Sequence, residues 1–139
     1  MAKKTGKKKT GIIARGKRKE AVARASIKKG TGKIRINGAL LETVNSPFVR
    51  QVIAESLHFY PEASQADIDV IVNGGGVMGQ AQACRTAIAK AIVEYSKDEE
   101  LRAKMLEFDR SLLVEDPRRV EPKKFKGPKA RARFTKSYR

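Results

Sequence analysis

The sequence is short of the residues from which most metal-binding, disulfide-linked and catalytic sites are built. Its 139 residues include no Trp, one cysteine (Cys84) and one histidine (His58). A single cysteine excludes an internal disulfide and is typical of a reducing compartment. One cysteine and one histidine are also too few for a zinc site, which takes four ligands. We therefore expect neither a metal nor another cofactor.

Long apolar segments are lacking as well. No run of about 18 apolar residues occurs, so the sequence predicts no membrane-spanning helix. The basic N-terminus, MAKKTGKKKT, is not followed by an apolar stretch, so the sequence predicts no secretory signal there. An apolar fraction of 40% is enough for one modest core, as expected for a single domain.

Acidic residues are scarce at both ends, and this uneven charge is the most informative feature of the sequence. Lys and Arg total 31 against 15 Asp and Glu, for a net charge of +16. Residues 1–35 hold fourteen basic residues and one acid, and residues 118–139 hold ten and one. Residues 36–117 instead hold seven basic and thirteen acidic residues. A solvated surface mixes its signs, so the sorting predicts a polyanionic partner for the two ends.

The middle of the chain predicts a folded α+β domain. Small apolar residues alternate with mostly polar ones from Ala21 to Lys28, and alternation resumes from Lys33 to Ile36. With a turn at Lys29–Gly32 between them, these two segments predict a hairpin, closed by Asn37–Gly38. Alternation from Asp67 to Val72 predicts another strand. Strands and helices mixed in this order indicate α+β, or a short βαβ arrangement.

Three helices are predicted between and after these strands. The first begins at Ser46–Pro47, the second runs from about Met78 to Tyr95, and a capping box at Ser96–Glu99 opens the third. Regular structure is expected to stop at Asp116–Pro117. The residues predicted to face the core are Phe48, Val49, Val52, Ile53 and Leu57 in the first helix, Ala81, Cys84, Ile88, Ile92 and Tyr95 in the second, and Leu101, Met105 and Phe108 in the third.

These patterns divide the chain into three parts. Residues 1–11 are a basic N-terminal extension, residues 12–117 are the globular domain, and residues 118–139 are an extended basic tail. The tail has no apolar periodicity and contains Pro122 and Pro128, so we expect it to be disordered on its own. Fully extended, it would span roughly 70–80 Å, which is long enough to reach into a partner.

The basic residues of the two ends are the candidate RNA-binding residues. Lys and Arg neutralise phosphates and release counterions, and the interleaved Phe125, Phe134 and Tyr138 can stack on unpaired bases. A merely solvated charged tail is the alternative, and it is disfavoured because acids are nearly absent. For Lys3 to Lys9 alone, a flexible run or a targeting patch is equally open. The candidates are Arg15, Lys17, Arg18, Lys19 and Arg24, and Arg118, Arg119, Lys123, Lys124, Lys126, Lys129, Arg131, Arg133, Lys136 and Arg139.

A glycine run, Gly74 to Gly76, lies between a predicted strand and a predicted helix. Backbone N–H groups and the helix dipole favour an anion at such a position. The run matches neither the nucleotide phosphate loop nor the dinucleotide fingerprint, and it has no Lys to reach a terminal phosphate. A contact with an RNA phosphate and a purely structural turn are both open.

Candidate catalytic groups are few and have ordinary structural interpretations. Asp67 and Asp69 share one strand face, where solvated edge residues are commoner than a carboxylate pair. His58 lies near a helix end, as a cap or packing residue would, and Cys84 lies on an apolar helix face. The sequence predicts no enzyme.

Several of these segments resemble the small-subunit ribosomal protein S9 family. The match runs from about Ile12 to the last residue, and the ending resembles the archaeal and eukaryotic branch. The segments that carry it are Gly16 to Ala25, Gly32 to Gly38, the glycine signature Val72 to Ala81, Phe108 to Arg110, Asp116 to Lys124, and Lys136 to Arg139.

The resemblance implies a fold, a location and partners. The fold would be an α+β domain with a mixed sheet, of the type of the second domain of ribosomal protein S5. It would sit in the head of the small subunit, on cytoplasmic ribosomes, against ribosomal RNA and neighbouring head proteins. The tail would thread through RNA towards the decoding region. Lys136, Tyr138 and Arg139 would there contact transfer RNA in the peptidyl site, while the basic residues from Arg118 to Arg133 hold ribosomal RNA.

Two other function classes are compatible with parts of the sequence. A DNA-compacting protein would share the charge but usually needs an organised dimer with a wrapping surface. A small-molecule kinase would use the glycine run as a phosphate loop, but the chain is short and the loop lysine is missing. Sedimentation with small subunits distinguishes all three.

Overall fold

Alternation of inward and outward side chains builds a five-stranded sheet. The structure is a computed structural model that describes residues 11–137. Its strands are β1 (Ile12–Arg18), β2 (Ala21–Lys29), β3 (Ile34–Ile36), β4 (Ala39–Leu40) and β5 (Ala66–Asn73). Inward-facing residues are small in β1 and mostly small in β2, where they are Ala21, Ala23, Ala25 and Ile27, and larger in β5, where Ile68, Val70 and Val72 are buried as predicted.

Helices cover one side of this sheet. They are α1 (Pro47–Ala54), α2 (Val77–Ser96) and α3 (Glu99–Phe108), with short 3-10 turns at Leu41–Thr43, Glu55–Leu57, Pro61–Gln65 and Arg110–Leu112. The central helix α2 packs on β1, β2 and β5, and α1 packs on α2. The predicted α+β class with a mixed sheet is confirmed. None of the helices in the described part of the chain is long and apolar enough to cross a membrane.

The order of the strands corrects one prediction. The sheet runs β1-β2-β5-β3-β4, so β5 lies between the two strands that alternation paired as a hairpin. β2 pairs antiparallel with β1 on one side and with β5 on the other, while β3 pairs parallel with β5. One of the two partners of β2 is β1, a segment so rich in cations that its own alternation was hidden.

The predicted turn at Asn37–Gly38 is present, and it forms a hairpin of β3 and β4 instead of closing one of β2 and β3. It connects β3 to β4, with positive φ at Asn37 (50°) and Gly38 (86°), as a type I′ hairpin requires. The Asn37 side chain donates to the Val72 carbonyl at 3.1 Å and accepts from the Val72 N–H at 2.9 Å. These two hydrogen bonds to β5 hold the turn against the sheet.

The start of the third helix also differs from prediction. Ser96 is the last residue of α2, and Lys97 ends that helix in the left-handed conformation with φ 56°. Asp98 is the N-cap, and its carboxylate accepts the N–H of Glu100 at 2.9 Å. A carboxylate two residues downstream therefore displaced the predicted capping box, because it reaches the free amides of the new helix directly.

Two aromatic residues predicted to lie in the core are instead on the surface. Phe48 is 58% exposed, while Val49 and Ile53 of the same helix are buried. Phe108 is 62% exposed and meets Phe59 edge-on, with ring centroids 5.1 Å apart. Leu101 and Met105 are buried as predicted.

The contact between α2 and the sheet is made of small side chains. A Cβ on Gly16 would lie 2.2 Å from the Ala83 carbonyl oxygen and 2.5 Å from the Ala87 nitrogen. Ala14 and Ala23 are buried on the sheet side of the same contact. Glycine and alanine therefore let the helix and the two N-terminal strands approach closely.

Candidate nucleic-acid interface

The side of the sheet opposite α2, here called the outer face, carries basic residues of β1 and β2. It comprises the odd-numbered residues of β1 and β5 and the even-numbered residues of β2, since side chains alternate along a strand. Three of the predicted RNA-binding residues lie on it: Arg15, Lys17 and Arg24. The structure thus brings these three together on a sheet surface.

Arg15 and Arg24 stand directly opposite each other on neighbouring strands, and both are exposed. Like charges in this position destabilise a sheet, because the Cα atoms of such a pair are only about 4.5–5.5 Å apart. Among the described residues, neither guanidinium has an ion-pair partner. The free chain therefore carries two adjacent, uncompensated arginine charges.

The acids of the outer face are engaged elsewhere. Asp69 lies 3.9 Å from Arg35. Asp67 accepts the N–H of Lys33 at 3.0 Å and of Thr31 at 2.8 Å, and these bonds lower its pKa below the ordinary 3.8. Asp67 is therefore the cap of a turn and not half of a catalytic pair.

The glycine run lies against the turn between β1 and β2. Gly74 and Gly75 have positive φ (77° and 67°), and a Cβ on them would meet the Glu20 carbonyl at 2.6 Å and the Ala21 nitrogen at 2.9 Å. Only glycine permits both this conformation and this approach. The structural interpretation of the run is therefore correct for these two residues, independently of any contact with RNA.

Gly76 differs from its two neighbours because the space in front of it is open. It is the N-cap of α2, it makes no side-chain capping bond, and no heavy atom lies within 4 Å of a Cβ placed on it. A cleft of about 500 Å³ opens here, bordered by two cations, Arg18 and Lys19, by one acid, Glu20, and by Val120. Exposed amides, the positive end of the helix dipole and nearby cations make this position favourable for an anion.

Arg18 and Arg118, two predicted RNA-binding residues, both contact Asp116. Arg18 forms an ion pair with Asp116 and donates to Gln82 at 2.8 Å, and side-chain exposure is only 23% for Arg18 and 17% for Asp116. Arg118 donates from its backbone N–H and from its guanidinium to the same carboxylate, at 2.7–3.1 Å. We call this arrangement the Asp116 clip. It fixes where the tail leaves the domain.

Further contacts hold residues 109–118, here called the exit segment, against the domain. Lys90 donates to Glu115 at 2.9 Å and to the Arg15 carbonyl at 3.1 Å. Arg85 lies 2.9 Å from Glu55 and 2.5 Å from Asp109. Burial alone would raise the pKa of Asp109, but hydrogen bonds from Ser111 and Arg85 outweigh it and leave the pKa lowered.

Beyond the exit segment, the tail turns back on itself and has no helix or strand as far as residue 137. Glu121 accepts two hydrogen bonds from Arg131, at 3.0 and 2.7 Å, and this partner lowers the pKa of Glu121. Arg133 donates to the Phe125 carbonyl at 3.4 Å, and the Lys126 ammonium lies 5.8 Å from the Phe125 ring. Within the described residues, these contacts loop the tail between residues 121 and 133. The extended conformation expected of the arm when it is bound to RNA stays a prediction.

The rest of the tail presents charge and aromatic surface to solvent. Phe125 is 88% exposed and Phe134 is 67% exposed. Tyr138 and Arg139, two of the three predicted transfer-RNA-binding residues, lie outside the described residues. The basic residues Lys123, Lys124, Lys129 and Lys136 are exposed and have no ion pair within the described part of the chain.

Arg119 and Lys19 lie beside the glycine run. Arg119 is 4.0 Å from Glu20, at the limit of an ion pair. Lys19 is exposed in the β1–β2 turn with φ 53° and has no such partner. These two cations therefore lie at the same edge of the domain as Gly76.

The remaining candidate catalytic groups are far from forming a site. Cys84 is buried in α2, and burial raises the pKa of its thiol to about 12. His58 is exposed after the 3-10 turn that follows α1. No cluster of three or more metal-ligating residues occurs between residues 11 and 137.

Sequence reasoning missed three features of this interface. Ile13 and Ile71 of the outer face are 67% and 62% exposed, and Asp116 is the partner of two predicted RNA-binding arginines. The register of β1 with β2 is what places Ile13, Arg15 and Lys17 on one face, because glycine and basic residues conceal the alternation of β1 in the sequence. Nothing in the sequence pairs Asp116 with Arg18.

Comparison with known proteins bears on the same segments. The chain matches the family described as "Ribosomal protein S9/S16" over residues 16–139. It is 50% identical over 129 residues to the small ribosomal subunit protein uS9 of Methanothrix thermoacetophila, covering 92% of this chain and 98% of that protein. It is 51% identical over 129 residues to uS9 of Picrophilus torridus, covering 92% and 97%. For uS9 of Halobacterium salinarum the identity is 49% over 126 residues, covering 89% and 96%.

Proposed function

From the premise that the chain belongs to the ribosomal protein S9 family, we propose that it binds ribosomal RNA in the head of the small subunit and reaches peptidyl-site transfer RNA with its tail. Membership of the family makes it a structural protein of the small ribosomal subunit and not an enzyme. We place it on cytoplasmic ribosomes, with ribosomal RNA and neighbouring head proteins as its partners.

The observation that carries the proposal is the number of basic side chains left without an acidic partner. Among the candidate RNA-binding residues, those without an ion pair form two groups. The first lies on the outer face and its adjoining turn, and the second lies in the tail. A structural protein that needed these charges only for its own fold would pair them, as it pairs Arg85 and Lys90. The unpaired candidates are Arg15, Lys17, Lys19, Arg24, Lys123, Lys124, Lys126, Lys129, Arg133 and Lys136. Seven other described cations, spread over the rest of the domain, are unpaired as well: Lys28, Lys29, Lys33, Arg50, Lys97, Lys104 and Arg110.

The glycine run adds a site of a different kind. Gly74 and Gly75 bring the chain round so that the amides at the start of α2 stay open beside Gly76. We expect one RNA phosphate to be held there by backbone N–H groups, with Lys19 and Arg119 nearby. Such a backbone contact does not discriminate between RNA sequences. It fixes the position of the domain on the RNA.

The arginines that already have acidic partners contribute differently. Arg18, Arg118 and Arg131 bind Asp116 or Glu121 in the free chain. A phosphate must therefore share them with a carboxylate or displace it. We expect Arg18 to stay with Asp116, because it is the least exposed of the three, and Arg118 and Arg131 to be available to RNA.

The end of the tail is proposed to contact transfer RNA. Lys136, Tyr138 and Arg139 close the chain, after a stretch in which basic residues recur without a core for the aromatic ones to join. The guanidinium fork of a terminal arginine can approach a phosphate bidentately, and Tyr138 can stack on a base or ribose. The proposal keeps the division into a basic extension (residues 1–11), a globular domain (residues 12–117) and a basic tail (residues 118–139). It assigns no role to the extension.

Sedimentation tests the proposed function. The chain, produced with an affinity tag in cells that lack the native copy, is expected to travel with small subunits in a high-magnesium sucrose gradient. Washing with salt should release the variant Lys123→Gln/Lys124→Gln at lower salt than the original chain, since each lost phosphate contact weakens binding. The control Arg102→Gln/Lys104→Gln removes two exposed charges from α3 and should wash off with the original. A chain that stays at the top of the gradient would contradict the proposal.

A further inference from the structure

The half of the outer face nearest the glycine run is basic and contains no acid. Cross-strand neighbours there are Lys17, Val22 and Asn73 in one row, and Arg15, Arg24 and Ile71 in the next. The two acids of the outer face lie in the rows beyond, where Asp67 caps a turn and Asp69 faces Arg35. We call the first two rows the basic half. Within residues 11–137, none of its three cations forms an ion pair with an acid.

Aliphatic side chains lie beside these cations. Ile71, on the central strand β5, is 62% exposed and stands directly across from Arg24, and Ile13, one row further along the edge strand β1, is 67% exposed. Together they leave apolar surface next to Arg15 and Arg24 that a bound partner can cover. The cover must be anionic, because it has to compensate the adjacent Arg15 and Arg24.

The basic half has no aromatic residue, and this distinguishes it from the tail. Proteins that bind unpaired RNA on a sheet stack bases on aromatic rings. The outer-face positions of β1, β2 and β5 provide none, whereas the tail exposes Phe125 and Phe134. The outer face is therefore suited to phosphates and riboses rather than to bases.

Resting on the proposed function, we propose that the basic half binds the backbone of double-stranded RNA, and that the tail binds unpaired RNA. An A-form duplex presents phosphates and 2′-hydroxyls across a wide, shallow minor groove that is recognised by shape. Arg15, Lys17 and Arg24 meet phosphates, the Asn73 amide can both donate to and accept from a 2′-hydroxyl, and Ile71 packs on ribose carbons. The two surfaces thus divide helical and unpaired RNA between them.

Binding of two RNA probes to the full chain tests this division. One is a mixed-sequence duplex of about 16 base pairs, the length that a double-stranded-RNA-binding module spans. The other is an oligouridine of the same length. Fluorescence anisotropy over a range of salt concentrations gives the affinity and its salt slope for each. The face variant is Arg15→Gln/Arg24→Gln, and the matched tail control is Lys123→Gln/Lys124→Gln.

The face variant should lower duplex affinity about tenfold or more and reduce its salt slope by about 1.8, at about 0.9 per lost phosphate contact. It should leave oligouridine binding nearly unchanged. The tail control should do the reverse, reducing the oligouridine slope by about 1.4, at about 0.7 per contact. Ile71→Ala carries no charge change and should weaken duplex binding without altering the slope.

Two outcomes would overturn the division. Equal losses on both probes for both double variants would mean that only total charge matters. A face variant with normal duplex binding that fails to join small subunits would mean that the outer face meets a protein. Thermal melting confirms that each variant is folded. An original chain that binds neither probe and does not sediment with subunits would instead refute the proposed function itself.

Discussion

At the scale of single residues, the facing pair Arg15 and Arg24 is a cost that the free chain carries. Removing one of the charges should therefore stabilise the isolated protein. We expect Arg24→Gln to raise the free energy of unfolding by about 0.2–1 kcal/mol at low salt, the usual range for a cross-strand pair. Urea denaturation measures it, and the gain should shrink in high salt, where exposed charges are screened.

The matched control is Arg35→Gln on the same face. Arg35 lies 3.9 Å from an acid, Asp69, so its loss removes an attraction and not a repulsion. No gain in stability is expected from it. Equal stabilisation by both variants would mean that the net charge of the chain, and not the facing pair, is responsible.

At Gly16, β1 approaches the backbone of α2 closely. A methyl group there meets backbone atoms of Ala83 and Ala87, which cannot rotate away. We expect Gly16→Ala to lower the free energy of unfolding by about 1–3 kcal/mol, the usual cost of overpacking. Chemical denaturation of the purified variant measures the loss.

Gly79→Ala is the comparison for that substitution. Gly79 lies in α2, and a Cβ there would meet Ala21 Cβ and the Arg18 carbonyl at an ordinary 3.6 Å. Alanine is favoured over glycine in a helix by about 1 kcal/mol, so this variant should gain stability. Equal free energies of unfolding for the two variants would contradict the close approach of β1 to α2.

The stability that Asp67 contributes to the fold depends on pH. Hydrogen bonds from the Lys33 and Thr31 amides lower its pKa, so the folded state favours the ionised form. The stability that this provides is present above the ordinary pKa of 3.8 and is lost as the pH falls through the lower folded value. Asp67→Asn should therefore be less stable at neutral pH and should lose less on acidification. Urea midpoints at neutral pH and at pH 3 test it; parallel losses in both proteins would count against this cap.

At the scale of elements, the Asp116 clip sets the direction in which the tail leaves. Asp116→Asn leaves the half-buried Arg18 guanidinium without its anion, which we expect to cost about 1–3 kcal/mol of stability. It should also free the Arg118 N–H, which Asp116 accepts at 2.9 Å. Amide hydrogen exchange at Arg118 should accelerate, and subunits carrying the variant should lose it at lower salt.

Glu121→Gln separates the clip from the loop beyond it. It breaks the pair with Arg131, which lies beyond the clip and leaves the domain's own contacts intact, so the urea midpoint should hardly change. Exchange at Arg118 should stay slow in this variant. Fast exchange in both would show that the tail loop, and not Asp116, protects that amide.

The elements show which parts of the fold could be predicted from sequence. Periodicity located β5, α2 and the buried face of each, because their apolar residues are regularly spaced. It failed for β1, where alanine, glycine and basic residues concealed the alternation. The pairing of β3 with β5 could not be predicted, since a parallel neighbour depends on packing between distant segments. Among the site residues, the charge distribution identified the cations. It did not show which of them form ion pairs with acids of the same domain.

At the scale of the whole molecule, basic residues are collected on the outer face and the tail, with their acids largely elsewhere. The proposed roles also assign different partners to successive parts of the tail: its first part binds ribosomal RNA and its last residues bind transfer RNA. Deleting Ser137 to Arg139 should leave subunit assembly nearly normal, because the cations that hold ribosomal RNA lie upstream. It should weaken peptidyl-site transfer RNA binding by about 1.5–3 kcal/mol at most, the value of one charge-assisted contact.

Filter binding of transfer RNA to purified subunits measures this change. Deleting the exposed lysine pair Lys123–Lys124 instead is the comparison, and it should impair assembly first. Unchanged transfer RNA affinity after loss of the last three residues would remove that role from the tail. Failed assembly would show that the end of the chain holds ribosomal RNA.

The small residues between α2 and the first two strands also matter while the chain is being made. β1 and β2 emerge first and end at Lys29, but the helix that covers them is complete only at Ser96, about 67 residues later. At 5–20 residues per second that interval is about 3–13 s. During it, the uncovered side of the hairpin exposes mainly alanine and glycine, with little apolar area to attract other nascent chains. The close helix contact of the finished domain thus also keeps the unfinished one from aggregating.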